Sequence, residues 1–380
     1  MIPYGKQKID KSDIKEVTKA IKESLLTTGP KVEKFQNEIK KYTNAKYSVV
    51  CNSGTSALYL AFLSINLKPG DVVVMPAVNF IASFNICKIL KAKIYLADID
   101  PVKGIITPEN LNKVIKKNNL KNIKVVVTMH MGGKAENVGK FFELKKRFKF
   151  KIIEDSCHAF GSKYTYKKKL YNVGCAKHAD ISTFSFHPIK TITTGEGGAI
   201  TTNNKNLFHK INLFKSHGII RSKQNKHWEY DIKTVGLNFR LSDINCALGL
   251  SQLKKINSFL TIRKNIAKLY EQEFRKLNLN ISFPEVNKVQ NAWHLYIINY
   301  DFKNLKNKDN FFKYLKKNKI IAQYHYIPIY RLSIGNNFRK LPGSEQYYKN
   351  SVSLPIFVGL KKKHQLLIIN KIKNYLTKIN

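Results

Sequence analysis

Phe184-Ser-Phe-His-Pro-Ile-Lys-Thr-Ile-Thr-Thr-Gly-Glu-Gly-Gly198 is the stretch that decides how this chain is read. An apolar strand ends there, and Lys190 follows in a segment that Pro188 keeps out of helix. The glycines beyond it permit close backbone approach. A lysine held at the mouth of a sheet loses its proton readily when desolvated, so its amine can condense with an aldehyde. With only seven arginines among the 67 Lys and Arg residues, lysines are plentiful and most are surface charges. The flanking sequence has to single this one out.

Upstream of that stretch, short apolar runs of strand type fall at 48–51, 72–75, 94–96, 124–128 and 151–154. Helical patterns separate them at 55–65, 81–90, 108–117 and 138–147, and two further strands are expected at 179–186 and 198–202. Continuous apolar strands alternating with helices predict an α/β fold with a mostly parallel sheet covered on both faces. Nearer the N-terminus, Ile14, Val17, Ala20, Ile21 and Leu25 recur at helical spacing behind Ser12, a good N-cap. A second helix after Pro30 carries Val32, Phe35 and Ile39.

From about residue 251 the texture changes. A helical stretch at 251–277 is followed by strand-like 293–300, a helix at 308–317, strand-like 320–326 and a terminal helix from Lys361. Residues 331–348 show no periodicity and read as a surface loop. The expectation is a large α/β domain over 1–250 and a smaller α+β domain over 251–380, with the N-terminal segment able to pack on the smaller one.

The 380 residues, 43% of them hydrophobic, suffice for a sizeable core. No apolar run approaches the roughly 20 residues of a membrane span, and the N-terminus has no signal-like apolar region. A soluble, cytoplasmic protein is expected. The five cysteines are odd in number and widely spaced, which speaks against a disulfide framework or a metal site. The net charge of +42 is nearly all lysine, dispersed over the predicted helices. Nucleic-acid sites concentrate arginine and interleave aromatics, so a solvated lysine surface is expected and no nucleic-acid partner.

Ligands of open α/β sheets sit beyond the carboxyl ends of the strands. Those positions hold the unusual chemistry. Asp155 ends one run; alone it serves as readily as a helix cap. Cys51-Asn-Ser-Gly-Thr-Ser-Ala-Leu58 leads from a strand into a helix start, which binds phosphate but is equally a plain N-cap. Phe80 follows another run and could stack on a ring, or belong to the core. Taken together they cover pyridoxal phosphate: a lysine for the aldehyde, a carboxylate for the pyridinium nitrogen, a helix start for the phosphate and an aromatic for one face.

The chain resembles the DegT/DnrJ/EryC1/StrS aminotransferases, whose fold is that of aspartate aminotransferase (fold type I). The resemblance runs from Leu26-Thr-Thr-Gly-Pro30 to Leu354-Pro-Ile-Phe-Val-Gly-Leu360. Its most specific pieces are 182–198, Glu154-Asp-Ser-Cys-His-Ala-Phe-Gly161, Ser216-His-Gly218 and Gly236-Leu-Asn-Phe-Arg-Leu-Ser-Asp243. The resemblance implies that Lys190 carries the cofactor as a Schiff base and that Asp155 partners the pyridinium. Cys157 and Phe80 would take the two ring faces, and His158 the phenolic oxygen, where many members have Gln. Gly54, Thr55 and Ser185 match the phosphate site. Asn238, or alternatively Arg240, matches a phosphate contact donated by a second subunit, which implies a homodimer with shared active sites.

The phrases at 186–198 and Ser216-His-Gly-Ile-Ile-Arg221, with Trp228-Glu-Tyr-Asp231, resemble the branch of the family serving pseudaminic acid biosynthesis. That implies UDP-4-keto-6-deoxy-N-acetyl-L-altrosamine as acceptor and L-glutamate as donor. Thr27, Thr28, His187, His325 and Tyr326 are substrate candidates by position, and Arg221 as one of the few arginines. Three rivals stand beside this: a dehydratase, for which Lys190 would have to be His; a non-catalytic regulator, for which no DNA-reading module is visible; and an aminotransferase for another nucleotide-linked keto sugar.

Overall fold

The computed structural model describes residues 1–221, 226–286 and 289–379. In chain order its strands are β1 (Tyr47–Cys51), β2 (Val72–Pro76), β3 (Lys93–Ala97), β4 (Ile123–Met129), β5 (Lys151–Asp155), β6 (Lys163–Tyr166), β7 (Lys169–Asn172), β8 (Ile181–Ser185) and β9 (Gly198–Thr202). Then come β10 (Ile219–Ile220), β11 (Asp231–Ile232), β12 (Ile281–Ser282), β13 (Tyr296–Tyr300) and β14 (Ser351–Leu354). The helices are α1 (Lys11–Ile21), α2 (Pro30–Thr43), α3 (Gly54–Ser64), α4 (Ala82–Ile89), α5 (Pro108–Lys117) and α6 (Val138–Phe148). They continue with α7 (Lys205–Lys215), α8 (Asp243–Lys254), α9 (Ile256–Arg275), α10 (Leu305–Lys317), α11 (Pro342–Asn350) and α12 (Lys362–Ile379).

Seven strands form the central sheet in the order β1-β9-β8-β5-β4-β2-β3. The run from β8 through β5, β4 and β2 to β3 is parallel. Only β9 runs against its neighbours β8 and β1. The strands are buried on both faces, and the period of two sorts their side chains. Val73, Met75, Val125, Val127 and Ile153 join the core under α3, α4 and α7. Val74, Val126 and Ile152 join the opposite layer under α5 and α6. The chemistry-bearing ends of β1, β2, β5 and β8 all point to one edge.

A three-stranded antiparallel sheet, β12-β13-β14, packs with α9, α10 and α12 around a second core. The N-terminus is tied to it: Ile2 N–H donates to Lys319 O at 2.7 Å, and Ile321 N–H to Ile2 O at 2.9 Å.

Several local expectations are corrected. Asp10, not Ser12, caps α1: its carboxylate accepts from Ser12 and Asp13 N–H, and Asp13 returns the bond in a capping box. A carboxylate also suits the helix dipole better than a hydroxyl. The helix ends at Ile21, and Ile14, Ile21 and Leu25 are exposed. The stretch at 251–277 is two helices, α8 and α9, hinged at Lys255, and α8 begins at Asp243, capped by Ser242. Residues 320–326 form isolated bridges to Ile2 and Ser353 rather than a strand. A 3-10 turn at Ile329–Arg331 runs into 331–348, and within that stretch lie a second, Ser333–Gly335, and most of α11, opened by Pro342. The β6–β7 hairpin, α7 and β14 lie outside the elements expected from local pattern.

Candidate active site

A cavity of about 370 Å³ opens where the carboxyl ends of β1, β2, β5 and β8 meet. Gly54, Thr55, Phe80, Asp155, Cys157, His158, Ser185, His187, Lys190, His325 and Tyr326 all line it. Residues from five separate stretches of sequence are thus brought together.

Lys190 rides on a closed loop. Phe186 N–H donates to Gly197 O at 2.8 Å, and Thr194 N–H returns to Phe186 O at 3.0 Å, so the loop is pinched at its base. Lys190 N–H donates to His187 O at 2.9 Å, which turns the side chain into the cavity. Its Nζ lies 3.4 Å from His294 Nε2. Desolvation pulls the Lys190 pKa below the ordinary lysine value, against the pull of Cys157 and Asp155. That shift favours the nucleophilic amine.

Asp155 ends β5 with its side chain buried. Its Oδ1 accepts Cys157 N–H at 3.2 Å. Desolvation raises its pKa, opposed by the Cys157 hydrogen bonds and by Lys190 and His130. Among the described residues no cation pairs with it, so it is a buried acid awaiting a positive partner. Its neighbour Glu154 points through the other face of the sheet. There it accepts the Ser182 hydroxyl at 2.6 Å and lies 3.5 Å from His130 Nε2.

Ser53 caps α3, accepting Ser56 N–H at 3.0 Å. The first N–H groups of the helix have no intrahelical acceptor, and Gly54 and Thr55 line the cavity, which suits that helix start to an anion. Gly54 keeps that site open: a Cβ there would stand 2.8 Å from Ser185 Cβ and 3.3 Å from Cys157 Sγ. Phe80 is 49% exposed, at the cavity mouth with its ring 5.7 Å from that of Tyr326. It is therefore not a core residue.

His158 is buried and its pKa is pushed well below the usual value by desolvation, then by Lys190 and His325. Its Nδ1 accepts Gly132 N–H at 3.4 Å and its Nε2 lies 3.0 Å from the Tyr326 hydroxyl. His325 Nδ1 lies 2.8 Å from Ser353 Oγ, and burial lowers its pKa to about 3.

Thr27, Thr28, Arg221 and Asn238 do not line this cavity; all four are exposed on the same chain. Arg221 lies over the Tyr230 ring at 5.6 Å, and Asn238 Oδ1 accepts Arg240 N–H at 3.3 Å. Three lining or neighbouring groups escaped the sequence reading. Tyr4 lines the cavity because Ile356 N–H donates to Tyr4 O at 3.0 Å. Glu196 lies within the Lys190 stretch itself. His294 sits in Trp293-His-Leu-Tyr296, which reads as the start of a strand.

These residues fit pyridoxal 5′-phosphate: an amine of lowered pKa, an unpaired buried acid, and a helix start whose glycine leaves room for a phosphate. Among the described residues, no group of three or more His, Cys, Asp or Glu is placed to hold a metal, and no helix is long and apolar enough to cross a membrane.

Comparison with known proteins agrees. Residues 7–373 match the model of the DegT/DnrJ/EryC1/StrS aminotransferase family. A Campylobacter jejuni protein named UDP-4-amino-4,6-dideoxy-N-acetyl-beta-L-altrosamine transaminase is 35% identical, covering 100% of this chain and 98% of that one. The solved Helicobacter pylori aminotransferase PseC, involved in the biosynthesis of pseudoaminic acid, superposes with a TM-score of 0.91 at 30% identity, covering 99% of each chain. A Streptococcus pneumoniae protein described as a sugar aminotransferase and solved in its PLP form superposes with a TM-score of 0.90 at 27% identity, covering 100% of this chain and 99% of that one.

Proposed function

This chain belongs to the DegT/DnrJ/EryC1/StrS aminotransferase family and is a pyridoxal-phosphate-dependent aminotransferase, and from that premise we propose its substrates and the part each residue plays. It moves the amino group of L-glutamate to C4 of UDP-4-keto-6-deoxy-N-acetyl-L-altrosamine, in pseudaminic acid biosynthesis. The names of its relatives from Campylobacter jejuni and Helicobacter pylori support that choice.

When bound, the cofactor supplies a protonated ring that accepts the electron pair left as a proton departs from carbon. Asp155 keeps the ring nitrogen protonated. Gly54 and Thr55 N–H groups and the Ser185 hydroxyl hold the phosphate. Phe80 and Cys157 take the two ring faces, and His158 the phenolic oxygen. Lys190 carries the cofactor covalently. Once displaced, its amine takes the α-proton from the donor and later delivers a proton to C4 of the acceptor sugar. His187, His325 and Tyr326 face the sugar.

Thr27, Thr28, Arg221 and Asn238, with Arg240, act across a homodimer, in the partner's cavity. The exposed apolar side chains around them support this: Leu25, Leu26, Trp228, Tyr230, Val235 and Leu237. Light scattering that returns a monomer mass at working concentration would remove this part of the reading.

One observation carries the proposal: Lys190, Asp155 and the start of α3 share one cavity. The test is the absorbance of the protein with pyridoxal phosphate, which should show a visible band near about 400–430 nm from a lysine-bound cofactor. Glutamate should bleach it, and the keto sugar should restore it. Lys190→Ala should show no such band and lose at least about a thousandfold in turnover. A folded wild-type protein without the band refutes the Lys190 assignment. A band that bleaches but is not restored by the altrosamine sugar refutes the acceptor.

A further inference from the structure

His294 stands behind Lys190, and the chemistry above leaves it without a task. Its Nε2 is 3.4 Å from Lys190 Nζ, and its ring centroid is 4.2 Å from that of His158. The residue is buried, and its Nδ1 has no hydrogen-bond partner. Such a group is destabilising in a core, so its placement at the lysine needs a reason.

The backbone on both sides of His294 is held. Trp293 takes a left-handed φ of 49°, a conformation uncommon for a bulky residue. Trp293 N–H donates to Asn291 Oδ1 at 2.8 Å, and Arg263 Nη1 donates to Trp293 O at 3.1 Å. Ala292 N–H donates to Ser162 Oγ at 2.9 Å, and Leu295 N–H to Gly132 O at 3.3 Å. This anchoring aims the ring at Lys190.

The imidazole is neutral. Desolvation holds its pKa well below the usual value, and His158, Lys190, Arg263 and His325 add to the effect. A neutral imidazole has one donor and one acceptor nitrogen. When the lysine amine is protonated it offers only hydrogens, and Nε2 then meets it as the acceptor, with the ring hydrogen on Nδ1.

We infer that His294 is the acceptor that holds Lys190 whenever its amine is free, receiving one N–H and so fixing where the proton-carrying lysine waits between its two tasks. His294 is a positioning residue: it acts through Lys190 and moves no proton of its own. The inference rests on Lys190 being the cofactor-bearing lysine.

The test uses apoprotein and follows the rate at which the visible band forms with pyridoxal phosphate, across about pH 6 to 10. Capture needs the neutral amine, and an acceptor at Nζ favours the protonated one. Losing it should move the acid limb of the profile downward by roughly half to one pH unit in His294→Phe. His294→Gln, whose amide oxygen can replace Nε2, should keep the limb within about 0.2 units. Asp155 at the end of β5, Cys157 and His158 after it, His325 and Tyr326 beyond Ile320, Tyr4 of the N-terminal segment, and His187 and Glu196 on the lysine's own loop are the other titratable groups in the cavity. They are the same in every variant, so the difference reports on His294.

In the holoprotein, bleaching at saturating glutamate should slow about tenfold in His294→Phe, with glutamate affinity within about twofold, and recover in His294→Gln. If the Phe variant does not fold, His294→Asn, too short to reach Nζ, takes its place with the same expectation. An acid limb that stays put in the variant lacking the acceptor, or moves equally with Gln, overturns the inference. A wild-type protein that never forms the band refutes the Lys190 reading instead.

Discussion

His158 Nε2 lies 3.0 Å from the Tyr326 hydroxyl across 168 residues of chain. Because Nδ1 accepts Gly132 N–H, the ring hydrogen sits on Nε2, where it meets the Tyr326 hydroxyl and is also the one hydrogen His158 has to give the cofactor's phenolic oxygen. The phenol's own hydrogen is then left to point into the cavity. One neutral histidine thus joins the loop after β4 to the segment carrying His325 and Tyr326.

That geometry predicts which replacements survive. Gln offers an amide oxygen and an amide N–H in place of Nδ1 and Nε2. His158→Gln should retain turnover within about tenfold. His158→Leu leaves Gly132 N–H and the Tyr326 hydroxyl without their partner and should cost about 1–3 kcal/mol for each group left buried and unsatisfied. Urea unfolding of the two variants, with glutamate-driven bleaching, separates the effects. Equal stability of Leu and Gln variants would remove the relay.

Asp155 predicts a trade of stability for function. Its pKa is raised by burial, so its contribution to stability is present at low pH, when it is protonated, and is lost as pH rises through the raised value. Wherever the carboxylate is ionised, the apoprotein carries a buried charge that no ion pair among the described residues offsets. Asp155→Asn should leave the apoprotein Tm unchanged or higher, shrink the rise in Tm that pyridoxal phosphate produces, and lower turnover at least about a hundredfold. A lower apoprotein Tm in Asp155→Asn would contradict the argument.

Gly54→Ala tests the phosphate cradle. The added Cβ would meet Ser185 Cβ at 2.8 Å, so the start of α3 or Ser185 must move. Weaker cofactor binding by at least about tenfold is expected, with the unfolding free energy of the apoprotein changed by less than about 1 kcal/mol. Equilibrium dialysis of pyridoxal phosphate gives the first number. Unaltered affinity would show that the phosphate does not sit there.

Lys308 predicts a pH-dependent stability unrelated to catalysis. It is buried, hydrogen-bonded to Tyr348 O and 4.0 Å from the centre of the Tyr324 ring, and burial lowers its pKa to about 7. A depressed lysine pKa means the cost of the charge is full below that value and fades as pH rises toward the unfolded value of about 10.4. Lys308→Met should therefore raise Tm more at about pH 6.5, below that window, than at about pH 10, near its upper end. A gain that is the same at both would show that the ring and carbonyl fully offset burial.

Apart from the β6–β7 hairpin, the alternation of strand and helix through residue 202 was legible because it is local: β-branched runs such as Val72–Pro76 are buried on both faces wherever they fall, and Pro108 or Ser53 starts a helix by its own chemistry. Lys190, Asp155 and the start of α3 could be singled out for the same reason, since each lies at or a few residues beyond the carboxyl end of a strand. Asp10 displaced Ser12 as a cap because two competent cappers stood side by side. The direction of β9 was hidden, because a buried strand reads alike whichever way it runs.

What the sequence determined by itself, then, is the order of elements and the chemical groups that end them, because these depend on side chains within a few residues of one another. What only the tertiary structure decided is which groups meet. Glu154 and Asp155 are adjacent acids, and the pleat of β5 sends one to His130 and Ser182 and the other into the cavity. His294, 104 residues beyond Lys190, reaches its Nζ because Arg263 holds Trp293 O and Gly132 O holds Leu295 N–H on either side of it. Contacts of that kind are fixed by packing between distant segments, and no local pattern carries them.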